Sequence, residues 1–370
     1  MTSSSAGPDF VLRGHESAVN CIAFSGSVGE EEILLSGSVD GTVKIWQLSS
    51  RRASTRSAAH TNSITSVLPS PSSGGRQLVT ASRDECMKIW NTETCTSAVE
   101  PVMTLHTGAQ NFCNISACAE GSDIIRNAIV SASADEHRAL LWDLRVGEVV
   151  HSIDVDKDSG MITSLHMNSA AAQEHMHAHV LLGLEDGTLA AVDLRAARQV
   201  GANATSAEQR LEQVPLHDKQ PIMAMDVSPD GKTLLTAGAD ACIHYTTAAT
   251  APAVSAFNSS PPAPSLIQVP DKSTNLPNLG TSSVKYRADG RIAVSGHWDS
   301  TVRIFDAKKA MRPLAVLKHH RESVFAVAYS LAGGMFATAS KDATIALWNV
   351  YGDSFKHRQP SIARTETGEA

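Results

Sequence analysis

Residues 14–46 read Gly14-His15, then Val19-Asn20-Cys21-Ile22-Ala23-Phe24, then Leu34-Leu35-Ser36-Gly37-Ser38-Val39-Asp40-Gly41, then Thr42-Val43-Lys44-Ile45-Trp46. The phrase returns near the other end as His320, Val324-Phe325-Ala326-Val327-Ala328-Tyr329, Ala337-Thr338-Ala339-Ser340-Lys341-Asp342 and Ile345-Ala346-Leu347-Trp348. Apolar residues alternate with polar or small ones over short runs, and Gly, Asp and Ser separate the runs. That is the pattern of short strands joined by tight turns. Asp40-Gly41 and Asp186-Gly187 are hairpin dipeptides, because both residue types tolerate left-handed backbone.

The position closing the third strand of each copy falls at Trp46, Trp90, Trp142, Val192, Thr246, Phe305 and Trp348. The intervals are 44, 52, 50, 54, 59 and 43 residues. A repeat of about 40–45 residues with a GH…WD-like signature resembles the WD40 family, whose fold is a β-propeller. The resemblance implies an all-β, seven-bladed ring and a scaffold that binds other molecules. The last copy stops after its third strand, at Trp348-Asn349-Val350, whereas Phe10-Val11-Leu12-Arg13 matches Ala315-Val316-Leu317-Lys318. Residues 10–13 are therefore expected to supply the outer strand of the last blade and so remove its open edge. The expected organisation is a disordered stretch 1–9, one propeller over 10–352 with a long insertion near 247–282, and a disordered tail 353–370. The outer strand of blade five is placed at Leu266-Ile267-Gln268-Val269, and 195–213 reads as a second polar insertion.

Three copies hold the same four residues in order, with the hydroxyl 4 before the Asp and the Asp 6 before the Trp each time: His15, Ser36, Asp40 and Trp46; His60, Thr80, Asp84 and Trp90; His320, Thr338, Asp342 and Trp348. In WD40 proteins such a set is a hydrogen-bond chain: Asp accepts from His, His bonds the hydroxyl, and the hydroxyl accepts from the indole. Each buried group satisfies the next. A Ser/His/Asp hydrolase triad is the competing reading. Recurrence in three blades, each time with Trp, favours the structural one, and no enzyme activity, cofactor or metal is expected. Blades three to six depart from the pattern. The third has Ser131, Asp135 and Trp142 with one extra residue before the Trp; the fourth has Leu182 and Val192; the fifth keeps His217, Thr236 and Asp240 with Thr246; the sixth keeps Ser295 and Asp299 with Phe305.

With a net charge of −7 and no basic run, general nucleic-acid or membrane-surface binding is not expected. Six scattered cysteines without a CxxC pair fit a reducing compartment, cytoplasm or nucleus. Residues 1–8 lack the basic and apolar regions of a signal peptide.

Three features invite a sharper functional reading. His175-Met176-His177-Ala178-His179 is a dense histidine cluster, but no further ligand group is placed to complete a metal site, and a tolerated loop insertion accounts for it. Trp298 stands in the turn Gly296-His297-Trp298-Asp299. Its counterparts in the other blades are Val39, Arg83, Ala134, Glu185, Ala239 and Lys341. In a propeller these turns share one rim, so Arg83, Glu185, Trp298 and Lys341 form a candidate partner-binding face. Trp298 is there either an anchor or a lid over its own blade. Trp142-Asp143-Leu144-Arg145 resembles the WDxR motif by which some WD40 proteins dock on a cullin-ligase adaptor, although the extra residue before Trp142 breaks the spacing.

Signal-transducing G-protein β subunits carry an N-terminal coiled-coil helix; here nine residues without heptads precede the first strand. A closer resemblance runs through Phe10–Gly14, Gly75-Arg76-Gln77-Leu78, Glu185-Asp186-Gly187, Gly296-His297-Trp298-Asp299 with Val302-Arg303-Ile304-Phe305, and the stretch from Pro313 to Tyr351. It is to the group formed by the guanine nucleotide-binding protein subunit β-like protein 1 and the fungal ASTRA-associated protein 1. The resemblance implies a non-enzymatic assembly factor. Its partners would be the co-chaperones that mature phosphatidylinositol-3-kinase-related kinases, and it would act as a monomeric propeller within a larger, chromatin-linked complex. The alternative is the substrate receptor of a cullin-type ubiquitin ligase.

Overall fold

The computed structural model describes residues 7–26, 32–56, 58–71, 73–92, 100–118, 127–169, 178–194, 211–240, 242–247, 272–275, 280–331 and 333–350. Every strand lies in one of seven four-stranded antiparallel sheets, and the sheets are the blades of a ring. Blade one is β2–β5 (19–56), blade two β6–β9 (64–106) and blade three β10–β13 (116–154). Blade four is β14–β17 (162–215), blade five β18–β21 (222–275) and blade six β22–β25 (281–318). Blade seven is β26–β28 (324–348), completed by β1 (Phe10–Arg13).

The register fixes the closure. Phe10 pairs with Leu347, Val11 with Ala346, Leu12 with Ile345 and Arg13 with Thr344. Asp9 extends the contact: its N–H donates to Leu347 O at 2.9 Å, and its carboxylate accepts from Asn349 N at 2.6 Å. Leu12 is buried in the cluster between blades seven and one.

The core is seven wedges rather than one centre. Each hydrophobic cluster lies between two neighbouring blades, because each twisted sheet must cover both faces. The third-strand position read from the sequence is a single structural position in all seven blades. Trp46, Trp90, Trp142, Val192, Thr246, Phe305 and Trp348 pair with Leu34, Leu78, Ile129, Val180, Leu234, Ala293 and Phe336 of the second strand.

A second repeated device is silent in the residue pattern. In six blades the register of the innermost pair shifts at the second residue of the inner strand, at Asn20, Thr65, Thr163, Met223, Ser282 and Phe325. A bulge re-aims the side chain it carries. Asn20 Nδ2 donates to Ile64 O at 3.1 Å and Thr163 Oγ1 to Ile222 O at 2.8 Å, and Ser282 Oγ donates to Val324 O. Each acceptor is the first inner-strand carbonyl of the next blade, so inner edges that face the channel are braced to their neighbours.

Three expectations are corrected here. The outer strand of blade five is Lys272–Asn275, not 266–269, and pairs with Cys242–Tyr245; residues 266–269 lie outside the described residues. His179 is a strand residue, paired with Asn168 and Asp193, while His175 and His177 fall outside the described residues, as does the tail from 351. The outer strand of blade four, Leu211–Pro215, begins inside the stretch read as an insertion over 195–213.

Candidate functional site: the rim of the strand-two to strand-three turns

One backbone bond places the turns. The turn residue donates its N–H to the residue just ahead of the inner strand: Val39 to Ala18, Arg83 to Ser63, Glu185 to Met161, Ala239 to Pro221, Trp298 to Gly280 and Lys341 to Ser323, at 2.9–3.2 Å. The turns and the loops entering each blade therefore share one rim. Arg83, Glu185, Trp298 and Lys341 all stand on it, in blades two, four, six and seven.

The hydrogen-bond sets stitch turn to entry loop. In blade two, His60 Nδ1 lies 2.9 Å from Asp84 Oδ2, Nε2 lies 2.7 Å from Thr80 Oγ1, and Trp90 Nε1 donates to the same hydroxyl at 2.9 Å. In blade seven the matching distances, His320 to Asp342 and Thr338 and Trp348 to Thr338, are 3.0, 2.8 and 3.0 Å. Burial alone would raise the Asp84 carboxyl, but its bond to His60, the His60 charge and the Thr61 N–H hold it at about 2.

Blade one departs from the expected set. His15 Nε2 reaches Ser36 Oγ at 2.7 Å and Trp46 donates to Ser36 at 2.8 Å, but Asp40 does not meet His15. The reason is Ser38. Its hydroxyl donates to Asp40, whereas Ser82 and Ser340 donate to backbone carbonyls of Asn62 and Glu322. Asp40 then caps Thr42 N at 3.0 Å, and buried His15 Nδ1 has no hydrogen-bond partner among the described residues. Burial, with Lys44 adding, pushes His15 down to about 4.

In blade three Trp142 still donates to Ser131 at 2.9 Å; the extra residue is absorbed in the turn, where Asp135 Oδ1 accepts from His137 N at 3.1 Å. Thr107, whose N–H meets Glu85 O, stands where the entry-loop histidine stands elsewhere. Blade six recruits a histidine from its second strand: His297 lies 2.6 Å from Ser295 Oγ and 3.1 Å from Thr281 Oγ1, while Arg303 pairs with Asp299 at 3.0 Å.

Of the four rim residues, two are brought together. Ser323 Oγ donates to Trp298 O at 2.9 Å and Ser323 O accepts from Lys341 N, so Trp298 and Lys341 are neighbours across the junction of blades six and seven. Trp298 is 43% exposed. Its inner ring edge rests on Gly280, where a Cβ would lie 2.0 Å from Trp298 Cε3, and Gly280 has φ +86°. Glycine is needed there both for the backbone and for the indole. Trp298 is thus a partial lid with one face left in solvent. Lys341 Nζ faces Glu322 at 3.6 Å, both exposed. Glu185 has a local duty, accepting from Met161 N at 3.2 Å.

Arg83 stands apart, on blade two. Its Nε donates to Gln110 O at 2.8 Å and its guanidinium lies 4.2 Å from the centroid of the Phe112 ring, a cation–π contact. Phe112 is 72% exposed, more than any other large apolar side chain among the described residues. Beside it, a cleft of about 370 Å³ between blades two and three is lined by Glu85, Gln110, Asn111 and Glu136. Phe112 went unread in the sequence because it lies in the connection between blades, where the repeat has no pattern to depart from.

Asp143 ends the third strand of blade three and Arg145 follows it, so both sit on the opposite rim. Arg145 Nε lies 3.0 and 3.1 Å from the two carboxylate oxygens of buried Asp143. Among the described residues no helix is long and apolar enough to cross a membrane.

Relatives match most of the chain. The chain is 28% identical to an ASTRA-associated protein 1 of Verticillium alfalfae over 355 residues, covering 88% of this chain and 79% of that protein. It is 28% identical to a guanine nucleotide-binding protein subunit beta-like protein 1 of Mus musculus, covering 93% and 96%. With an ASTRA-associated protein 1 of Schizosaccharomyces pombe the identity is 23%, over 93% and 99%. The profile of the WD domain, G-beta repeat, matches residues 7–47, 53–91, 209–245, 278–306 and 311–349, together half of the chain. Among what it leaves out are blade three and the inner three strands of blade four, where the entry-loop histidine is replaced or the hydroxyl gives way to Leu182. With seven sheets closed by the N-terminal strand and five matched repeats, this chain belongs to the WD40 repeat family.

Proposed function

We propose that the protein is a non-enzymatic interaction scaffold of ASTRA-type assemblies, where it serves the maturation of phosphatidylinositol-3-kinase-related kinases in the cytoplasm or nucleus. It would work as a monomeric propeller inside a larger complex. The names and coverage of its relatives support the assembly. The polar sets support the absence of catalysis at these positions: each Ser or Thr hydroxyl in the sets of blades one, two and seven is buried and committed to an indole and an imidazole, so none of these three hydroxyls faces solvent.

Partner binding is assigned to the rim that carries Arg83, Glu185, Trp298 and Lys341. The observation behind this is Trp298, a half-exposed indole held on Gly280 beside Lys341. A rigid aromatic with one face in water loses little conformational entropy on binding and gains a large desolvated area. Arg83 enters the reading as the support of Phe112 rather than as a bare cation.

Affinity purification of the full chain with identification of the captured proteins tests the assembly. Kinase-maturation co-chaperones are the expected result; a cullin with its propeller adaptor would replace this reading with that of a ubiquitin-ligase receptor. The Asp143–Arg145 ion pair argues against the receptor, since the Arg is already engaged by its own turn.

A further inference from the structure

Blade five lacks the indole of the repeat and carries a histidine that the repeat does not need. His217 Nδ1 lies 2.8 Å from Asp240 Oδ2 and Nε2 lies 3.0 Å from Thr236 Oγ1, as in the complete sets. Thr246 stands in the Trp position, so no indole donates to Thr236. His244, cross-strand partner of Thr236, takes the place held by Lys88 in blade two and Ala346 in blade seven. Its Nε2 lies 3.9 Å from Asp240 Oδ2, and its ring packs edge-on against His217 with centroids 4.3 Å apart. Two polar atoms in this cluster, Asp240 Oδ1 and His244 Nδ1, are buried and have no hydrogen-bond partner among the described residues. Leaving a carboxylate oxygen and an imidazole nitrogen buried and unsatisfied in one cluster is costly unless a further group joins it.

We propose that His217, Asp240 and His244 bind a zinc ion that braces blade five where the indole is missing. One ligand atom from each residue lies within 4.8 Å of the others. Tetrahedral Zn²⁺ with bonds of about 2.0–2.2 Å places its ligands about 3.4 Å apart, so side-chain shifts of about 1 Å assemble the site. Two neutral imidazoles and one carboxylate are a zinc-type donor set, and the partly exposed edges of Asp240 and His244 leave the fourth position to water. When Nδ1 of His217 takes the metal, its proton moves to Nε2, which then donates a hydrogen bond to Thr236 Oγ1. The ring stays neutral, and Thr236 can make the switch because no indole occupies its hydroxyl. The ion would tie the entry loop, the turn and the third strand of the blade together.

Tag-free protein, stripped with a chelator, is titrated with Zn²⁺ against a chromophoric chelator. One equivalent of tight binding is expected, together with a raised melting temperature. His244→Gln, which leaves the His217–Asp240–Thr236 chain intact, should raise the Kd at least about 100-fold, since even outer partners of metal ligands are worth 10–100-fold. It should also abolish the Zn²⁺-dependent rise in melting temperature while leaving melting in chelator unchanged. A wild-type chain without saturable binding overturns the proposal. So does undiminished binding by His244→Gln, and loss of binding in His175→Ala/His177→Ala instead would place the ion in that cluster. Co²⁺ bound to the unaltered protein gives a second measurement: intense visible bands of a four-coordinate site are expected, and the faint bands of an octahedral ion contradict it.

Discussion

Trp348→Ala probes the packing that holds the ring shut. Trp348 is 1% exposed, in the wedge between blades six and seven. Its ring stacks on Phe336 at 6.1 Å and 13° and meets His319 edge-on at 6.1 Å. Truncating a buried aromatic to Ala costs roughly 3–5 kcal/mol in lost transfer energy and cavity. The indole N–H to Thr338 adds about 0.5–1.5 kcal/mol, at the low end here because Thr338 keeps its bond to His320 at 2.8 Å. Trp348→Phe keeps the stack on Phe336 and loses mainly the hydrogen bond and part of the volume, so about 1–2 kcal/mol is expected. Urea unfolding of the three proteins, followed by circular dichroism, reads the differences from the shift in midpoint at constant slope. If Trp348→Ala unfolds within about 1 kcal/mol of the wild type, the wedges do not carry the stability assigned to them.

Leu12→Asp puts a charge into the wedge between blades seven and one. It should release β1 and leave β28 as an open edge, read as concentration-dependent aggregation by light scattering; a monodisperse, fully stable variant would contradict the closure. Gly280→Val should displace the indole of Trp298 and lower the melting temperature, because the new Cβ overlaps the ring and the backbone has positive φ; an unchanged melt would show that Trp298 does not rest there. Stability should fall as pH drops from 6.5 toward 4. Burial, joined by nearby cations, lowers His15, His166 and His297 to about 4, so below 6.5 the unfolded chain takes up protons that the folded one refuses, and the contribution, full above 6.5, is lost as pH approaches 4. Asp84, held at about 2, adds a further loss only between 3.8 and 2. A melting temperature flat from pH 7 to 4 would contradict the buried neutral histidines.

The ring was legible because a propeller repeats its constraints. The Trp position, the Asp-Gly turns and the match between residues 10–13 and 315–318 each recur at a fixed phase, and the structure keeps that phase even where Val192 or Thr246 replaces Trp. What repetition does not fix was missed. The outer strand of blade five shifted to 272–275 because an outer strand pairs on one edge only and its sequence is weakly constrained. Asp40 left His15 because a neighbouring serine competed for the carboxylate, a choice of rotamer and not of residue type. The rim residues could be placed but not joined: that Trp298 and Lys341 touch through Ser323, while Arg83 supports Phe112, depends on how adjacent blades meet.

The rim assignment stands or falls with Trp298. Trp298→Ala, where the wild-type side chain is 43% exposed, should leave the unfolding free energy within about 1 kcal/mol of the wild type, as expected for a half-exposed side chain. The same variant, used as bait beside the wild type at equal loading, should retain at most about one-thirtieth of the main partner's affinity, the equivalent of the ~2 kcal/mol a hot-spot aromatic contributes. Arg83→Glu with Lys341→Glu should weaken it further. A variant that unfolds, or one that holds every partner as the wild type does, would make Trp298 a lid alone and contradict the rim as the binding face.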